Sequence, residues 1–291
     1  MANKGLSKAL TWFVIPVIAI IVLFVYSRFL GTAALIIYIL AIIILQRATF
    51  LMTYGSVCYN KKDLEGALKW YEKAYNTGKT YPKAKISYAY ILLKCGRTDD
   101  AGAVMDKLLD EKLSTEDHNL AQTIQALIVW KKGDLDRSVG ILEKVIAEYK
   151  TTTIYGSLGY LLILKGDLDK ALAFNLEAYD YNSANVVIAD NLGQTYYLRN
   201  EQDKAIEIYN RLMLSNPPIP EAFYNYGLVL LKKGCIQEAL NNFNKAGRFR
   251  LTSLSTVTEE EIALKTCEAE KLLSIKAAED TGINDSNLLS D

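Results

Sequence analysis

The sequence predicts an all-α chain in three parts: an N-terminal transmembrane helical hairpin, an α-solenoid of about six helix pairs, and a C-terminal capping helix. Three observations carry this. Residues 9–46 are overwhelmingly apolar, four tracks of residue type recur about every 34 positions between 48 and 250, and a helix-start signature stands at Thr258.

Residues 1–8 form a short tail, expected on the cytoplasmic side. Residues 9–46 follow as two uncharged runs, ALTWFVIPVIAIIVLFVYS and FLGTAALIIYILAIIILQ, separated by Arg28. Each is about one bilayer-spanning helix long. One unbroken helix across both would measure roughly 57 Å and bury Arg28 at mid-membrane. A turn is therefore expected near 27–31, and Pro16 is expected to kink the first span.

An even number of crossings leaves both chain ends on one side. Lys4 and Lys8 precede the hairpin and Arg47, Lys61 and Lys62 follow it, against the single Arg28 at the turn. The positive-inside rule then places both ends in the cytoplasm. Cleavage of the first run as a signal peptide, with Gly31 and Ala33 near the processing site, is the rival reading. It delivers the remainder to the same side. The bland alternative is a pair of buried helices in a soluble core.

The repeats occupy 48–250. Small residues recur at Gly55, Ala89, Ala126, Gly159, Gly193 and Gly227, and twelve positions later at Ala67, Ala101, Ser138, Ala171, Ala205 and Ala239. A third track holds Tyr71, Met105, Leu142, Asn175, Tyr209 and Phe243, and a fourth holds Ala74, Leu108, Val145, Ala178, Leu212 and Ala246. Between the first two tracks Gly96, Gly133, Gly166, Asn200 and Gly234 recur, the residue types that accept a left-handed helix end. Each unit is thus two helices and a tight turn. Small residues let the paired backbones approach, the third-track residue fills the gap, and stacking makes one continuous core.

This pattern resembles the tetratricopeptide-repeat family. Leu192, Gly193, Tyr196, Ala205, Tyr209 and Pro217 carry the likeness in one stretch, and Gly227, Ala239, Phe243 and Ala246 in the next. Two departures stand out. A longer step of 37 residues between Ala89 and Ala126 places extra residues around Glu111 to His118, expected as a lengthened loop. Asn175 is polar where a large apolar residue is expected, which predicts a looser fourth repeat or one filled by a neighbour.

After the repeats, LTSLSTVT reads as a linker. Thr258 and Glu261 form a capping box for a helix over 259–278, whose acidic start suits the helix dipole and whose expected role is to cover the last repeat. A disordered tail is expected over 279–291.

Composition and motifs narrow the function. The 33 basic and 33 acidic side chains give a formal net charge of zero, and without a long basic tract nucleic acid is not an expected partner. Cys58, Cys95, Cys235 and Cys267 lie far apart without C-x-x-C spacing and are expected as free, buried thiols, not as a metal site or disulfide framework. His118 is the only histidine, which removes most triads and histidine-based metal sites, and it is expected exposed in a loop. No phosphate-binding loop appears. The Lys-Gly pairs at Lys132, Lys165 and Lys233 stand at helix ends, where cation and glycine are both favoured. No catalytic residue, metal or cofactor is expected.

What remains is a surface. Positions three before, one after and four after the first track share one face of the first helix in each pair. In such solenoids that face lines the concave groove. It holds Tyr59, Tyr90, Leu127, Trp130, Tyr160, Asp190, Gln194, Tyr197, Tyr224 and Leu228, about half expected as inter-repeat core. Tyr90, Leu127, Trp130, Tyr160, Asp190, Gln194, Tyr197 and Tyr224 are the candidate peptide-binding residues.

Family members that capture C-terminal carboxylates use a Lys, Arg and Asn cluster on this face. That cluster is missing, since Asn191 and Asn225 match only the motif's own Asn. The expected partner is a protein or peptide with apolar anchors, and the lipid bilayer is contacted through 9–46. The resemblance implies a membrane-anchored scaffold or adaptor at the cytoplasmic face. The alternative is a regulatory or accessory subunit of a membrane enzyme or of a transport or assembly complex.

Overall fold

The structure, a computed structural model, describes residues 13–280 of the 291. The expected N-terminal tail over 1–8, and 281–291 of the expected disordered tail, lie outside the described residues. Fifteen helices and no strands are found among those described. The chain divides into two compact units, Met1–Tyr88 and Ala89–Asp291.

In the first unit α1 (Ile15–Tyr26) and α2 (Arg28–Leu45) meet at Ser27, the one extended residue between them. The reversal is sharp: a Cβ built on Gly31 would lie 2.7 Å from the Phe24 Cα, a backbone approach that only glycine permits. Pro16 falls in the first turn of α1, directly after a π-helical turn at Phe13 and Val14. Helix α2 is the one described helix long and apolar enough to cross a bilayer, with mean hydropathy 2.4, while α1 is shorter at 12 residues.

The first helix pair follows as α3 (Arg47–Asn60) and α4 (Leu64–Tyr75). Asp63 caps α4 by accepting from the Gly66 N–H. Tyr71 fills the space opposite Gly55, where a Cβ would meet its ring at 2.8 Å, and its hydroxyl shares a 3.0 Å hydrogen bond with Ser56 Oγ.

Five more pairs complete the set: α5 (Pro82–Lys94) with α6 (Thr98–Leu109), α7 (Thr115–Lys131) with α8 (Leu135–Glu148), α9 (Thr152–Lys165) with α10 (Leu168–Tyr181), α11 (Val186–Leu198) with α12 (Gln202–Met213), and α13 (Pro220–Lys232) with α14 (Ile236–Ala246). The boundary between the two units falls inside α5.

The tracks explain the packing in the second unit. Ala101, Ser138, Ala171, Ala205 and Ala239 are all fully buried. Ser138 keeps its place among alanines by donating to the Ala126 carbonyl at 2.6 Å. Tyr209 lies opposite Gly193 and Phe243 opposite Gly227, where added Cβ atoms would come within 2.6 and 2.5 Å of the rings. Gly96, Gly133, Gly166, Asn200 and Gly234 all take positive φ, between 62° and 96°.

Two expectations change. The extra residues near His118 lengthen a helix, not a loop: Ser114 accepts from the Asp117 N–H and starts α7, which runs 17 residues. Acidic Glu116 and Asp117 suit that helix start, and His118 sits exposed in its first turns, 3.2 Å from Gln122 Nε2. The thiols are less buried than expected, with Cys58, Cys95 and Cys235 half-buried and Cys267 exposed.

Outside, a ladder of ion pairs joins the ends of α7, α9, α11 and α13 to the start of the preceding second helix. Its rungs are Lys132–Asp99 at 2.9 Å, Lys165–Asp136 at 2.6 Å, Arg199–Asp169 and Lys233–Asp203. The cations that suit helix ends thus also keep register between neighbours, although exposed pairs add little stability singly.

Helix α15 (Glu259–Asp280) begins with a reciprocal capping box: the Glu261 N–H donates to Thr258 Oγ at 3.1 Å, and the Thr258 N–H to Glu261 Oε2 at 2.8 Å. It buries Ile262 and Ala269 on the α13–α14 pair.

Candidate functional site

The face shared by the first helices is built by helical spacing, and the structure sorts its positions into two kinds. Those three residues before the small track are covered by the next repeat. Asn191 donates to the Gly156 carbonyl at 2.8 Å, and one repeat later Asn225 donates to the Asp190 carboxylate at 3.1 and 3.3 Å. Asp190 also accepts from the Tyr209 hydroxyl at 3.0 Å.

Asp190 is therefore buried between repeats and presents no surface to a ligand. Burial is the leading cause that pushes its carboxyl up to about 7, and nearby Glu221 adds to the effect. The Asn at 191 and 225 is an inter-repeat clamp. Asn175 joins the same polar core, donating to Thr195 Oγ at 3.1 Å, so hydrogen bonds take the place of a ring in the fourth repeat.

Positions one and four after the track remain open to differing degrees. Tyr90, Trp130, Tyr160, Gln194 and Tyr197 are half-buried, whereas Leu127 is buried. Trp130 and Tyr160, from adjacent repeats, meet edge to face with centroids 5.8 Å apart. Tyr224 is half-buried, lying against Phe243 at 5.8 Å. Burial pushes both the Tyr160 and Tyr224 hydroxyls up to about 12.

Sequence reasoning missed the lysines beside these rings. Lys94 lies over Tyr90, Lys131 over Trp130 and Lys232 over Tyr197, at 5.4, 4.7 and 5.3 Å. The signal was available: Lys94, Lys131 and Lys232 each stand five residues after the small track.

It also missed the occupant. The stretch taken for a linker crosses the face of the first helices. The Ser253 N–H donates to the Lys94 carbonyl at 3.0 Å, at the end of α5. The Thr256 N–H donates to Glu221 Oε1 at 3.0 Å.

These contacts measure the groove. Three peptide steps reach at most about 11 Å, and two hydrogen bonds with the Glu221 side chain add about 11 Å more, so the end of α5 and the start of α13 stand within about 22 Å of each other. Four successive helix-to-helix steps in a flat row would separate them by roughly 32–40 Å. The row of first helices therefore curves into a trough narrow enough for a short loop to bridge. Among the described residues no group of three or more His, Cys, Asp and Glu is arranged to hold a metal.

An all-helical repeat array with a concave, peptide-filled face defines the class, and comparison with known proteins agrees. Residues 50–77 and 190–217 match models of the tetratricopeptide repeat. A TPR repeat-containing protein of Methanocaldococcus jannaschii is 26% identical over 197 residues, 62% of this chain, which spans only 34% of that relative. Among solved structures, a tetratricopeptide repeat protein from Parabacteroides merdae superposes with a TM-score of 0.60 at 14% identity, covering 86% of this chain and 98% of the other. A monomeric mutant of IFIT1 with Gppp-AAAA superposes with a TM-score of 0.62 at 15% identity, covering 80% and 56%. At these identities the structural likeness is one of fold alone. Tetratricopeptide-repeat proteins mediate protein–protein interactions and are typically non-catalytic scaffolds.

Proposed function

We propose that this chain is a membrane-anchored scaffold, without a reaction or cofactor of its own, that holds a partner protein in the concave face of its repeats on the cytoplasmic side. The observation that carries the partner class is the loop at 252–256: the face already holds a stretch of polypeptide through main-chain hydrogen bonds to Lys94 and Glu221. Tyr90, Trp130, Tyr160 and Tyr197 supply half-buried aromatic surface on the same helix face. Nucleic acid fits less well, because the lysines at Lys94, Lys131 and Lys232 are offset by the acidic groups Glu221 and Glu261 near Tyr160 and the chain has no net positive charge.

The anchor reading draws on α2, whose 18 residues span about 27 Å at 1.5 Å per residue, and on the charge asymmetry around the hairpin. Much of the apolar surface of α1 and α2 is exposed, with Val25 at 85% and Phe29 at 80%. Lipid would cover it.

The test has two stages. Protease added to sealed inside-out vesicles should cut the repeats, and protection there would overturn the cytoplasmic assignment. Partner capture from the accessible side, with and without nuclease, should then return proteins that are lost when Tyr160 and Tyr197 are changed to Ala. An unchanged partner set would remove the groove from the account, and a nuclease-sensitive one would replace the protein partner with nucleic acid.

A further inference from the structure

The loop that crosses the groove is made of two mechanically different parts. Its ends are apolar and fixed: Leu251 and Val257 pack into one cluster with Phe223, Ala246, Ile262 and Phe249. Its tip, Thr252–Thr256, reads TSLST and carries no charge. With both ends in one cluster, the tip projects as a compact surface loop and not as a strut between distant elements.

The tip holds its own shape. The Ser255 N–H donates to the Thr252 carbonyl at 2.9 Å, the Thr252 N–H to Ser255 Oγ at 3.0 Å, and the Leu254 N–H to Thr252 Oγ at 3.3 Å. Outward it makes the main-chain bonds to Lys94 and Glu221. Losing these two frees the tip and leaves the anchors, the capping box and α15 in place.

The groove's own groups also define what replaces the tip. Lys94 offers a carbonyl and Glu221 a carboxylate, so two acceptors stand ready for N–H donors three residues apart. An incoming carboxylate would meet Glu221 with Glu261 close by, whereas an uncharged backbone meets partners for its N–H groups. Small hydroxyl side chains satisfy the remaining polar atoms, as they do in the tip.

We propose that the 252–256 tip is an intramolecular stand-in for the partner: the groove accepts a short, uncharged, Ser/Thr-bearing segment through its main-chain N–H groups, and that segment must first displace the tip. This rests on the concave face being the binding site. The tip competes at the high effective concentration of a tethered ligand, so release should strengthen outside binding by at least about tenfold.

The probe is a fluorescent peptide of the sequence LTSLSTVT, titrated into the full chain in detergent micelles. Two variants release the tip by different means: deletion of residues 253–255, and Thr256→Pro, which removes the N–H given to Glu221. Both should retain the helical content of the parent and bind the peptide at least about tenfold more tightly. Saturating peptide should also speed hydrogen exchange at the Ser253 and Thr256 amides of the unaltered chain. Equal binding by parent and both variants would overturn the stand-in role while leaving the groove as a site. Absence of binding throughout, with partner capture still dependent on Tyr160 and Tyr197, would overturn the ligand chemistry alone. Loss of both would take the groove reading down with it.

Discussion

Asp190→Asn should make the repeats more stable, and the gain should grow with pH. The carboxyl is buried, and desolvation pushes it up to about 7 from an ordinary 3.8. Tyr209 and Asn225 both donate to Oδ1, an oxygen that an amide retains, while the longer Asn225 contact to Oδ2 at 3.3 Å is lost to an NH2 group, a pH-independent cost that leaves the growth of the gain with pH unchanged. Between about pH 4 and pH 7 the native state keeps a proton that the unfolded chain has released, so wild-type stability falls with rising pH by about 1.4 kcal/mol per unit. Above about pH 7 the penalty levels off near 4 kcal/mol, an order-of-magnitude figure from a shift of about three units. An amide carries no such penalty. Urea unfolding of the full chain in micelles should show the variant's advantage rising by about 2.5 kcal/mol between pH 5 and pH 8. Because repeat arrays can unfold in parts, hydrogen exchange in α11 and α13 gives the local readout. A difference that stays flat across this range would mean that Asp190 titrates as an ordinary carboxylate, and the burial argument would fail.

Other expectations follow from the glycines and from one strained lysine. Gly227→Ala places a methyl 2.5 Å from a fully buried Phe243 ring and should destabilise by about 1–3 kcal/mol in urea titration. Gly140→Ala, inside α8 with nothing within 4 Å, should instead stabilise by about 0.5–1 kcal/mol. Lys62 holds φ at 63°, a left-handed position, so Lys62→Gly should stabilise the first helix pair by about 1 kcal/mol, seen as slower hydrogen exchange in α3 and α4.

Much of this was legible because the relevant contacts recur at fixed spacing. Gly193 against Tyr209 and Gly227 against Phe243 are each sixteen residues apart, a distance that one turn between two helices determines. Lys62 belongs to the track of Gly96 and Gly133, yet a lysine gives no sign of a left-handed backbone. Asp190 was assigned to the groove by its spacing within α11, but its surroundings depend on how the following repeat is placed over it. The Asn225 clamp settles that, and intrahelical periodicity carries no information about it. The extra residues before Ala126 looked like a loop until Ser114 proved to cap α7.

The loop across the groove was illegible for a deeper reason. Its bonds to Lys94 and Glu221 come from main-chain N–H groups, which every residue except proline supplies, so no side-chain pattern announces them. Its reach depends on curvature accumulated over four helix-to-helix steps, a sum of small rotations that no single repeat encodes. Backbone donors alone do not distinguish one sequence from another, so selectivity falls to the half-buried rings that flank them. Trp130 and Tyr160 form one joined surface, and lysines lie over Tyr90, Trp130 and Tyr197. Under the proposed stand-in role, a partner held by its main chain at Lys94 and Glu221 would be chosen by what its side chains place against those rings.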